Sequence, residues 1–329
     1  MSTATARAFW ITRPGHGEIR RLELPDPARG EARVRTLYTA ISRGTETLVF
    51  TGRVPRSEYA RMRAPFQEGD FPGPLKYGYI NVGIIESGPA DRLGRQVFSL
   101  YPHQTHFNAK LGQLVTIPRA VPAARAVLAA NMETAINALW DAQLHRGARV
   151  TIIGAGALGC LCGWLARRHY DADVEIVDID PARAAVAARL HLRFAAPENA
   201  TGDAPLILHT SATQAGLETA LGLAGFEAVI LELSWFGDRT VTLPLGEAFH
   251  SMRLSVKASQ VGHVAAPMRG HATRRSRLST ALRLLTDPAL DTLIDSSSRF
   301  EQLPQVLPEL ASGRRKAICH RIEYGEEGA

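Results

Sequence analysis

The spacing of hydrophobic residues changes near the middle of the chain. Residues 1–122 contain short β-rich runs separated by Gly and Pro, among them "EARVRTLYTAIS", "GYINVGIIESG" and "RQVFSLYP". These runs predict an irregular, mostly antiparallel β domain. In "NMETAINALWDAQLHRG" the apolar residues recur at helical spacing, and Gly147 is the expected end of that helix.

From Arg149 onward, strands and helices alternate. Near-continuous apolar strands such as "RVTIIGAG" and "EAVILELS" are separated by helices such as "ALGCLCGWLARRHY". This alternation predicts an α/β fold in which a doubly wound parallel sheet is covered by helices on both faces. After Gly262 the pattern is mixed again and ends in a predicted helix and strand. We therefore expect two domains, one formed by 123–262 and the other by 1–122 together with 263–329.

Composition, charge and cysteine content exclude several classes of protein. The chain has 329 residues and 45% hydrophobic residues, enough for two globular domains. Its arginines are spread along the chain with few aromatics between them, so the net charge of +6 predicts no nucleic-acid partner. Met1–Thr5 show no secretory signal and no apolar stretch approaches the roughly 20 residues of a membrane span, which predicts a cytoplasmic protein without a membrane partner. Cys160, Cys162 and Cys319 are expected to be reduced thiols.

The turn "TIIGAGALG" has the spacing of a dinucleotide-binding motif. Gly154, Gly156 and Gly159 form G-x-G-x-x-G between a predicted strand and a predicted helix. In such a turn the first glycine permits the tight bend, the second lets the backbone approach a pyrophosphate, and the third packs the helix on the strand. Asp178, about 20 residues further on, would accept hydrogen bonds from the adenosine ribose and repel a 2′-phosphate, so NAD(H) is favoured over NADP(H).

Other residues of this Rossmann-like domain are secondary cofactor candidates. Ala157 and Leu158 belong to the turn itself, and Arg183 could lie along the adenine, although a surface charge is the alternative role. "KASQVG", at the end of the domain, offers Ser259 and Gln260 to the nicotinamide amide. A Rossmann unit that binds no cofactor is the alternative to the whole assignment.

Several motifs along the chain together resemble the medium-chain dehydrogenase/reductase superfamily of alcohol dehydrogenase-like proteins. They are "ISRGTETLVFTG", "GYINVG", the central "GAGALG", and "FEQLP" followed by Gly-Arg-Arg. The first two are also similar to the branch that includes the bacteriochlorophyllide dehydrogenases. The resemblance covers essentially the whole chain. It implies a GroES-like catalytic domain around a Rossmann domain, NAD(P)-dependent oxidoreductase activity, and a homodimer.

In the zinc-dependent members of this superfamily, the ligand positions match residues that here cannot bind zinc. The first Cys position falls on Arg43, or on Ser42 with a different gap, and the Gly-His-Glu position has Tyr79 and Ile80 after its glycine. The four closely spaced cysteines of the structural zinc have no counterpart, because no cysteine precedes the glycine turn. The resemblance therefore implies an enzyme without zinc. A rearranged metal site is the alternative, drawn from Glu46, His103, His106 and Glu133.

Without zinc, another group must move the proton of the alcohol. Tyr79 occupies the position of a zinc ligand and could donate to a carbonyl oxygen, but its usual pKa near ~10 would need a cation such as Arg43 or Lys76 to lower it. A strand aromatic that fills the volume of the metal is the alternative role. Thr45 matches the start of the family's hydroxyl relay, or is a turn residue. Glu46 is a candidate base or an ion-pair partner of Arg43.

"SLYPHQTHF" places His103 and His106 in a predicted loop after a strand. Histidine titrates in the range useful for acid–base chemistry, and loops carry many substrate contacts. His103, with Gln104 as a partner, is the preferred catalytic candidate and His106 a substrate contact, with ordinary surface histidines as the alternative. Arg43 is the second predicted substrate contact, because it begins a basic cluster that would hold an acidic substrate or form a solvated surface. The cluster comprises Arg43, Arg53, Arg56, Arg61, Arg63 and Lys76.

These patterns predict a zinc-independent, NAD(H)-dependent oxidoreductase that interconverts an alcohol and a carbonyl on a small or medium-sized molecule, with an acidic group on the substrate as one option. An NAD(P)H-dependent quinone or enoyl C=C reductase is the first alternative. Asp178 argues against it because those reductases commonly use NADPH. A non-catalytic NAD-binding scaffold or sensor is the second alternative.

Overall fold

The structure is a computed structural model that describes residues 4–325. Met1–Thr3, to which part of the secretory-signal prediction refers, lie outside the described residues. The chain divides into two compact units: unit 1 contains Met1–Ala130 and Leu282–Ala329, and unit 2 contains Asn131–Ala281. Among the helices of residues 4–325, none has the length and apolar character that crossing a bilayer requires.

The order of strands and helices along the described residues follows the hydrophobic pattern, and the α/β class is confirmed. The strands are β1 (Ala4–Arg13), β2 (His16–Leu24), β3 (Glu31–Ile41), β4 (Glu68–Gly69), β5 (Leu75–Lys76), β6 (Asn81–Ser87), β7 (Gln96–Ser99), β8 (His106–Lys110), β9 (Val115–Thr116), β10 (Arg149–Ile153), β11 (Asp173–Val177), β12 (Arg193–Ala195), β13 (Ala204–His209), β14 (Ala224–Glu232), β15 (Ser255–Ala258), β16 (Ser296–Arg299) and β17 (His320–Glu323). The α-helices are α1 (Thr45–Phe50), α2 (Ala123–Ala126), α3 (Ala129–Asp141), α4 (Ala157–Tyr170), α5 (Arg183–Arg189), α6 (Gln214–Leu223), α7 (Arg274–Leu284) and α8 (Leu303–Ala311).

Unit 1 contains two sheets that bring distant segments together. The smaller has the order β2-β1-β5-β4 and the larger the order β16-β17-β3-β6-β7-β9, with β8 also paired to β3. Val34 and Phe107 are completely buried in the core of the larger sheet. β3 is antiparallel to β6 and to β17, so Thr39 lies opposite Asn81 on one side and Ile322 on the other. The segments that follow β3 and precede β6 therefore meet at one end of this sheet.

Unit 2 is built on a parallel sheet with the order β12-β11-β10-β13-β14-β15. The central strands of this sheet are rich in buried apolar residues, and Ile152, Ile176, Leu208 and Ile230 are completely buried. This is the order of a Rossmann fold, in which the chain reverses direction of travel across the sheet between β10 and β13. Ligands of such sheets bind outside the carboxyl ends of the strands at that switch point.

The boundaries of the two units lie later in the chain than the predicted domain boundaries after residues 122 and 262. A buried arginine in α7 explains why unit 2 continues past the predicted boundary after residue 262. Arg277 is 1% exposed and donates hydrogen bonds to Glu133 and Asn137 of α3. These bonds hold the first part of α7 in unit 2, because a buried guanidinium needs its partners.

The helix predicted to end at Gly147 ends earlier. α3 stops at Asp141, and Gln143 has a φ of +50°, a left-handed conformation that interrupts helical hydrogen bonding. The Leu144 N–H then donates to the Leu139 carbonyl at 3.1 Å and closes the helix end. A non-glycine residue thus makes the turn before the glycine is reached.

Candidate active site

A buried histidine–carboxylate pair lies in unit 1. His103 Nε2 is 2.8 Å from Glu46 Oε2, and the two side chains are 2% and 4% exposed. His103 Nδ1 is 2.7 Å from Thr39 Oγ1, and Glu46 Oε1 accepts from the Ser42 N–H at 2.8 Å. Gly78 makes room for the ring, since a Cβ there would lie 3.2 Å from His103 Cδ2. The carboxylate predicted to pair with an arginine therefore pairs with the predicted catalytic histidine.

The pair belongs to a longer hydrogen-bonded chain. Thr39 Oγ1 is 3.3 Å from Tyr324 Oη. When the Glu46 carboxylate is ionised it can only accept, so His103 Nε2 carries a hydrogen. In the neutral ring Nδ1 then accepts from Thr39, and Thr39 accepts from Tyr324. Sequence analysis missed Thr39 and Tyr324, because Thr39 sits inside an ordinary β-rich run and Tyr324 is 285 residues away.

Tyr79 lies beside this chain, in the segment that precedes β6. Its Oη donates to Ser42 Oγ at 2.5 Å. Burial raises the pKa of Tyr79 to about 12 and the negative charge of Glu46 adds to the effect, while hydrogen bonds with Ser42 and Thr45 act in the opposite direction. At neutral pH the phenol keeps its proton, so its predominant form is a hydrogen-bond donor and an acid.

The cations expected to lower the pKa of Tyr79 are engaged elsewhere. Arg43 donates from Nη1 to the Ala317 carbonyl at 2.8 Å. Lys76 is buried, with Nζ 2.5 Å from Glu68 Oε1 and 2.6 Å from Gln104 Oε1, and burial lowers its own pKa. Gln104, predicted as a partner of the catalytic histidine, is therefore a partner of this lysine. The cation that Tyr79 would need in order to act as a base at neutral pH is therefore not among the groups that shift its pKa.

The basic cluster predicted for an acidic substrate is paired locally. Arg61 and Arg63 form ion pairs with Glu58 and Asp70 at the surface. Exposed pairs of this kind are common on protein surfaces and contribute little to stability. With Lys76 on Glu68, three of the six cluster residues are therefore paired with three different carboxylates.

His106 is a strand residue and not the predicted loop residue. It opens β8 and lies opposite Arg35 of β3. Its Nε2 is 3.4 Å from Glu86 Oε2. The two histidines of "SLYPHQTHF" thus have different carboxylate partners, and only His103 joins the group around Glu46.

The donor groups of this region do not fit a catalytic zinc. A zinc site needs several Cys, His or carboxylate ligands that converge on one point. Among residues 4–325, no group of three or more His, Cys, Asp or Glu side chains has that arrangement. Glu46 and His103 bind each other, His106 pairs with Glu86, and Glu133 pairs with a buried arginine within unit 2.

The glycine turn of unit 2 has the steric requirements of a dinucleotide-binding loop. Gly154 has a φ of +108°, and a Cβ on Gly159 would lie 2.0 Å from the Gly154 carbonyl oxygen. A Cβ on Gly156 would point into open space, so the backbone there is accessible. α4 begins at Ala157, followed by Leu158, and no side chain caps its first turn. The accessible backbone and the helix N-terminus together fit the pyrophosphate of a dinucleotide.

Asp178 stands at the end of β11, where such a loop places its ribose ligand. Its Oδ2 accepts from the Ala155 N–H at 2.7 Å and its Oδ1 from the Asp180 N–H at 2.9 Å. These bonds hold the carboxylate next to the glycine turn. Arg183 Nε lies 3.7 Å from Asp180 Oδ2, so it forms an ion pair on the same connection.

Two further cofactor candidates of unit 2 have intramolecular partners. Ser259 donates from Oγ to Asp141 Oδ2 at 2.7 Å. Gln260 Oε1 accepts from the Gly262 N–H at 2.7 Å. Ser259 thus ties the segment after β15 to the end of α3, and Gln260 supports the local turn.

Sequence analysis missed a polar group at the carboxyl ends of β13 and β14. His209 Nδ1 is 2.6 Å from Glu232 Oε2, and its Nε2 is 2.7 Å from Ser211 Oγ. The signal was present in the sequence, because "PLILHTSA" and "EAVILELS" each carry a charged or titratable residue at the end of an apolar strand. Buried polar residues of this kind require partners.

Comparison of the sequence with protein-family models and with curated protein sequences finds no match. Solved structures with a similar fold include L-idonate 5-dehydrogenase from Escherichia coli K-12, which is 13% identical, with 98% of this chain and 99% of that chain covered and a TM-score of 0.78. The short chain alcohol dehydrogenase of E. coli CFT073, complexed with NADH, is 15% identical, with 97% and 99% covered and a TM-score of 0.75. 2R,3R-butanediol dehydrogenase from Bacillus subtilis is 13% identical, with 97% of this chain and 99% of that chain covered and a TM-score of 0.74.

The chain has the medium-chain dehydrogenase fold. This confirms the fold that the sequence motifs predicted, and it extends over nearly the full length of the compared structures.

Proposed function

We propose that this chain is an NAD(H)-dependent oxidoreductase that interconverts an alcohol and a carbonyl without zinc. The observation that carries the proposal is the accessible backbone at Gly156 combined with the Asp178 carboxylate, which is held 2.7 Å from the Ala155 N–H. Structures with the same fold are named as dehydrogenases, and one was complexed with NADH. A bound nicotinamide would supply hydride transfer.

The carboxylate of Asp178 supports a preference for NAD(H). Ribose hydroxyls donate hydrogen bonds to a carboxylate, whereas a 2′-phosphate is repelled by it. Arg183, the basic residue considered for the adenosine end, is ion-paired with Asp180. The local charge therefore favours the unphosphorylated ribose.

In place of zinc, we propose that Tyr79 protonates the carbonyl oxygen during reduction. It is a neutral phenol whose Oη contacts the hydroxyl of Ser42, and Thr45 also hydrogen-bonds to it. Both residues are partly exposed, so these two hydroxyls can relay a proton from solvent to Tyr79 after it has donated its own, each gaining one proton as it gives one. His103 and Glu46 are assigned a positioning role, since Glu46 holds the Ser42 backbone and both side chains are buried.

The proposal is tested on purified protein by metal analysis, fluorescence titration with NADH and NADPH, and a panel of secondary alcohols and ketones. We expect less than stoichiometric zinc, NADH binding at least tenfold tighter than NADPH binding, and turnover of an alcohol–ketone pair. Binding of neither nucleotide would overturn the proposal. Stoichiometric zinc would overturn the metal-free part, and reduction of enones alone would assign the C=C reductase.

A further inference from the structure

A chain of four side chains, the Ser211 relay, crosses the carboxyl ends of β13 and β14 and consists of Thr213, Ser211, His209 and Glu232. Ser211 Oγ is 2.9 Å from Thr213 Oγ1 and 2.7 Å from His209 Nε2, and His209 Nδ1 is 2.6 Å from Glu232 Oε2. The His209 side chain is completely buried and that of Glu232 is 13% exposed. Gly216 makes the arrangement possible, because a Cβ there would lie 2.1 Å from Ser211 Oγ.

The direction of the hydrogen bonds follows from the carboxylate. Glu232 can only accept when ionised, so His209 Nδ1 carries the hydrogen and, in the neutral ring, Nε2 accepts from Ser211. Thr213 Oγ1 already accepts from the Gly216 N–H at 3.0 Å and can donate its own hydrogen to Ser211. Thr213 then donates to Ser211, Ser211 to His209, and His209 to Glu232. Ser211 Oγ, which is partly exposed, retains one lone pair for a ligand that donates.

The relay adjoins the glycine turn at the switch point of the sheet. Thr210, the neighbour of Ser211, donates from Oγ1 to the Gly154 carbonyl at 2.9 Å, and a Cβ on Gly154 would lie 2.9 Å from the Ser211 nitrogen. The fold consists of two mononucleotide-binding halves. Asp178 belongs to the half formed by β10, β11 and β12, which would hold the adenosine. The relay belongs to the other half, over which the nicotinamide mononucleotide would lie.

We infer that Ser211 accepts a hydrogen bond from a hydroxyl of the nicotinamide ribose, and that His209 and Glu232 hold it in the accepting orientation. The inference rests on the proposed function, because it assigns a subsite within the same dinucleotide site. Ser211 is thereby a binding residue, and the two buried groups are positioning residues.

The first test compares Ser211→Ala with Ser255→Ala by calorimetric titration of NADH, ADP-ribose and AMP. Ser255 is exposed and is the first residue of β15, so it lies at the amino-terminal ends of the parallel strands, whereas the relay lies at their carboxyl ends. Ser211→Ala should weaken NADH and ADP-ribose about fivefold to tenfold, the effect of one hydrogen bond, and leave AMP unchanged. Ser255→Ala should leave all three affinities unchanged.

The second test separates orientation from packing through Glu232→Gln. The amide can donate to His209 Nδ1, which moves the ring hydrogen to Nε2 and makes Ser211 present a hydrogen instead of a lone pair. Glu232→Gln should weaken NADH about as much as Ser211→Ala, with AMP binding unchanged as evidence of an intact fold. The double variant should bind NADH no more weakly than Ser211→Ala alone. An additive loss would overturn the positioning role.

The remaining outcomes distinguish this inference from the proposed function. Wild-type protein that binds NADH, with Ser211→Ala binding it equally well, would overturn the inference alone. Wild-type protein that binds none of the three nucleotides would overturn both. The order of groups in the relay is also that of a serine hydrolase triad, so covalent labelling of Ser211 by a fluorophosphonate would assign it as a nucleophile and overturn the binding role.

Discussion

At the scale of single residues, burial decides which chemistry a polar group can perform. Tyr79 was expected at the position of a metal ligand, and the groups that act on it are the Glu46 carboxylate and two hydroxyls. A buried phenol beside a carboxylate holds its proton more tightly. At neutral pH the residue is therefore protonated and ready to donate to a carbonyl, and in the reverse direction its small phenolate fraction would take the same proton back from the alcohol.

We predict that Tyr79→Phe lowers kcat for ketone reduction by about 10²-fold or more, because general acid catalysis typically contributes that much. The measurement is the rate of NADH oxidation with an identified ketone. Tyr77→Phe is the matched control, since Tyr77 is a buried neighbour whose ring packs edge-on against Tyr79. Equal rates in wild type and Tyr79→Phe would remove Tyr79 from the reaction.

Burial also predicts how stability depends on alkaline pH. The pKa values of Tyr77, Tyr79, Tyr101 and Tyr324 are all raised, chiefly by burial, and that of Tyr79 reaches about 12. A raised pKa favours folding below the unfolded value near ~10, and this contribution is lost as the pH rises through the folded values. Urea unfolding should therefore show a falling free energy of unfolding from about pH 10 upward. Tyr79→Phe should make the decline shallower, and an identical decline would contradict the assignment.

At the scale of elements, close packing between β10 and α4 shapes the glycine turn. The third glycine of the motif is required by contact with the first, not by the cofactor, because a Cβ on Gly159 would lie 2.0 Å from the Gly154 carbonyl oxygen. The same packing keeps the N-terminus of α4 at the end of β10. Stability and dinucleotide binding are thus coupled at this position.

We predict that Gly159→Ala destabilises the protein by about 1–3 kcal/mol, the usual cost of overpacking, and weakens NADH binding. Gly222→Ala is the control, since Gly222 lies in α6 and a Cβ added there would have no neighbouring atom within 4 Å. That variant should be stabilised by about 0.5–1 kcal/mol through helix propensity. Thermal unfolding checks both, and a neutral Gly159→Ala would contradict the packing argument.

At the scale of the whole molecule, a medium-chain dehydrogenase fold is combined with donor groups around Tyr79 that do not converge on one metal position among residues 4–325. Two of the titratable groups in the region of Tyr79, His103 and Glu46, are bound to each other. A metal at this place would have to displace that buried pair, which is costly. The fold alone therefore does not decide the chemistry.

We predict that treatment with 1,10-phenanthroline followed by gel filtration leaves turnover and NADH affinity unchanged. The physical reason is that the proposed reaction would take its hydride from the nicotinamide and its proton from Tyr79, so that no metal is required. A related zinc alcohol dehydrogenase treated in parallel is the positive control. Loss of turnover that zinc restores would contradict the prediction. The predicted homodimer is checked separately by sedimentation velocity.

The sequence by itself determined the features that depend on local sterics and hydrophobic periodicity. Apolar runs and helical spacing identified the strands and helices of unit 2, and the glycine spacing identified the turn between β10 and α4. These features could be predicted because backbone conformation and burial periodicity act over a few residues.

Only the tertiary structure decided which polar groups are partners. His103 binds Glu46, Thr39 contacts a tyrosine 285 residues away, and Ser211 joins His209 and Glu232 across two strands. None of these pairings follows from spacing along the chain. Hydrogen-bond partners and pKa values depend on the distances and burial that the packed sheets impose, so tertiary packing decided which of these polar groups are partners.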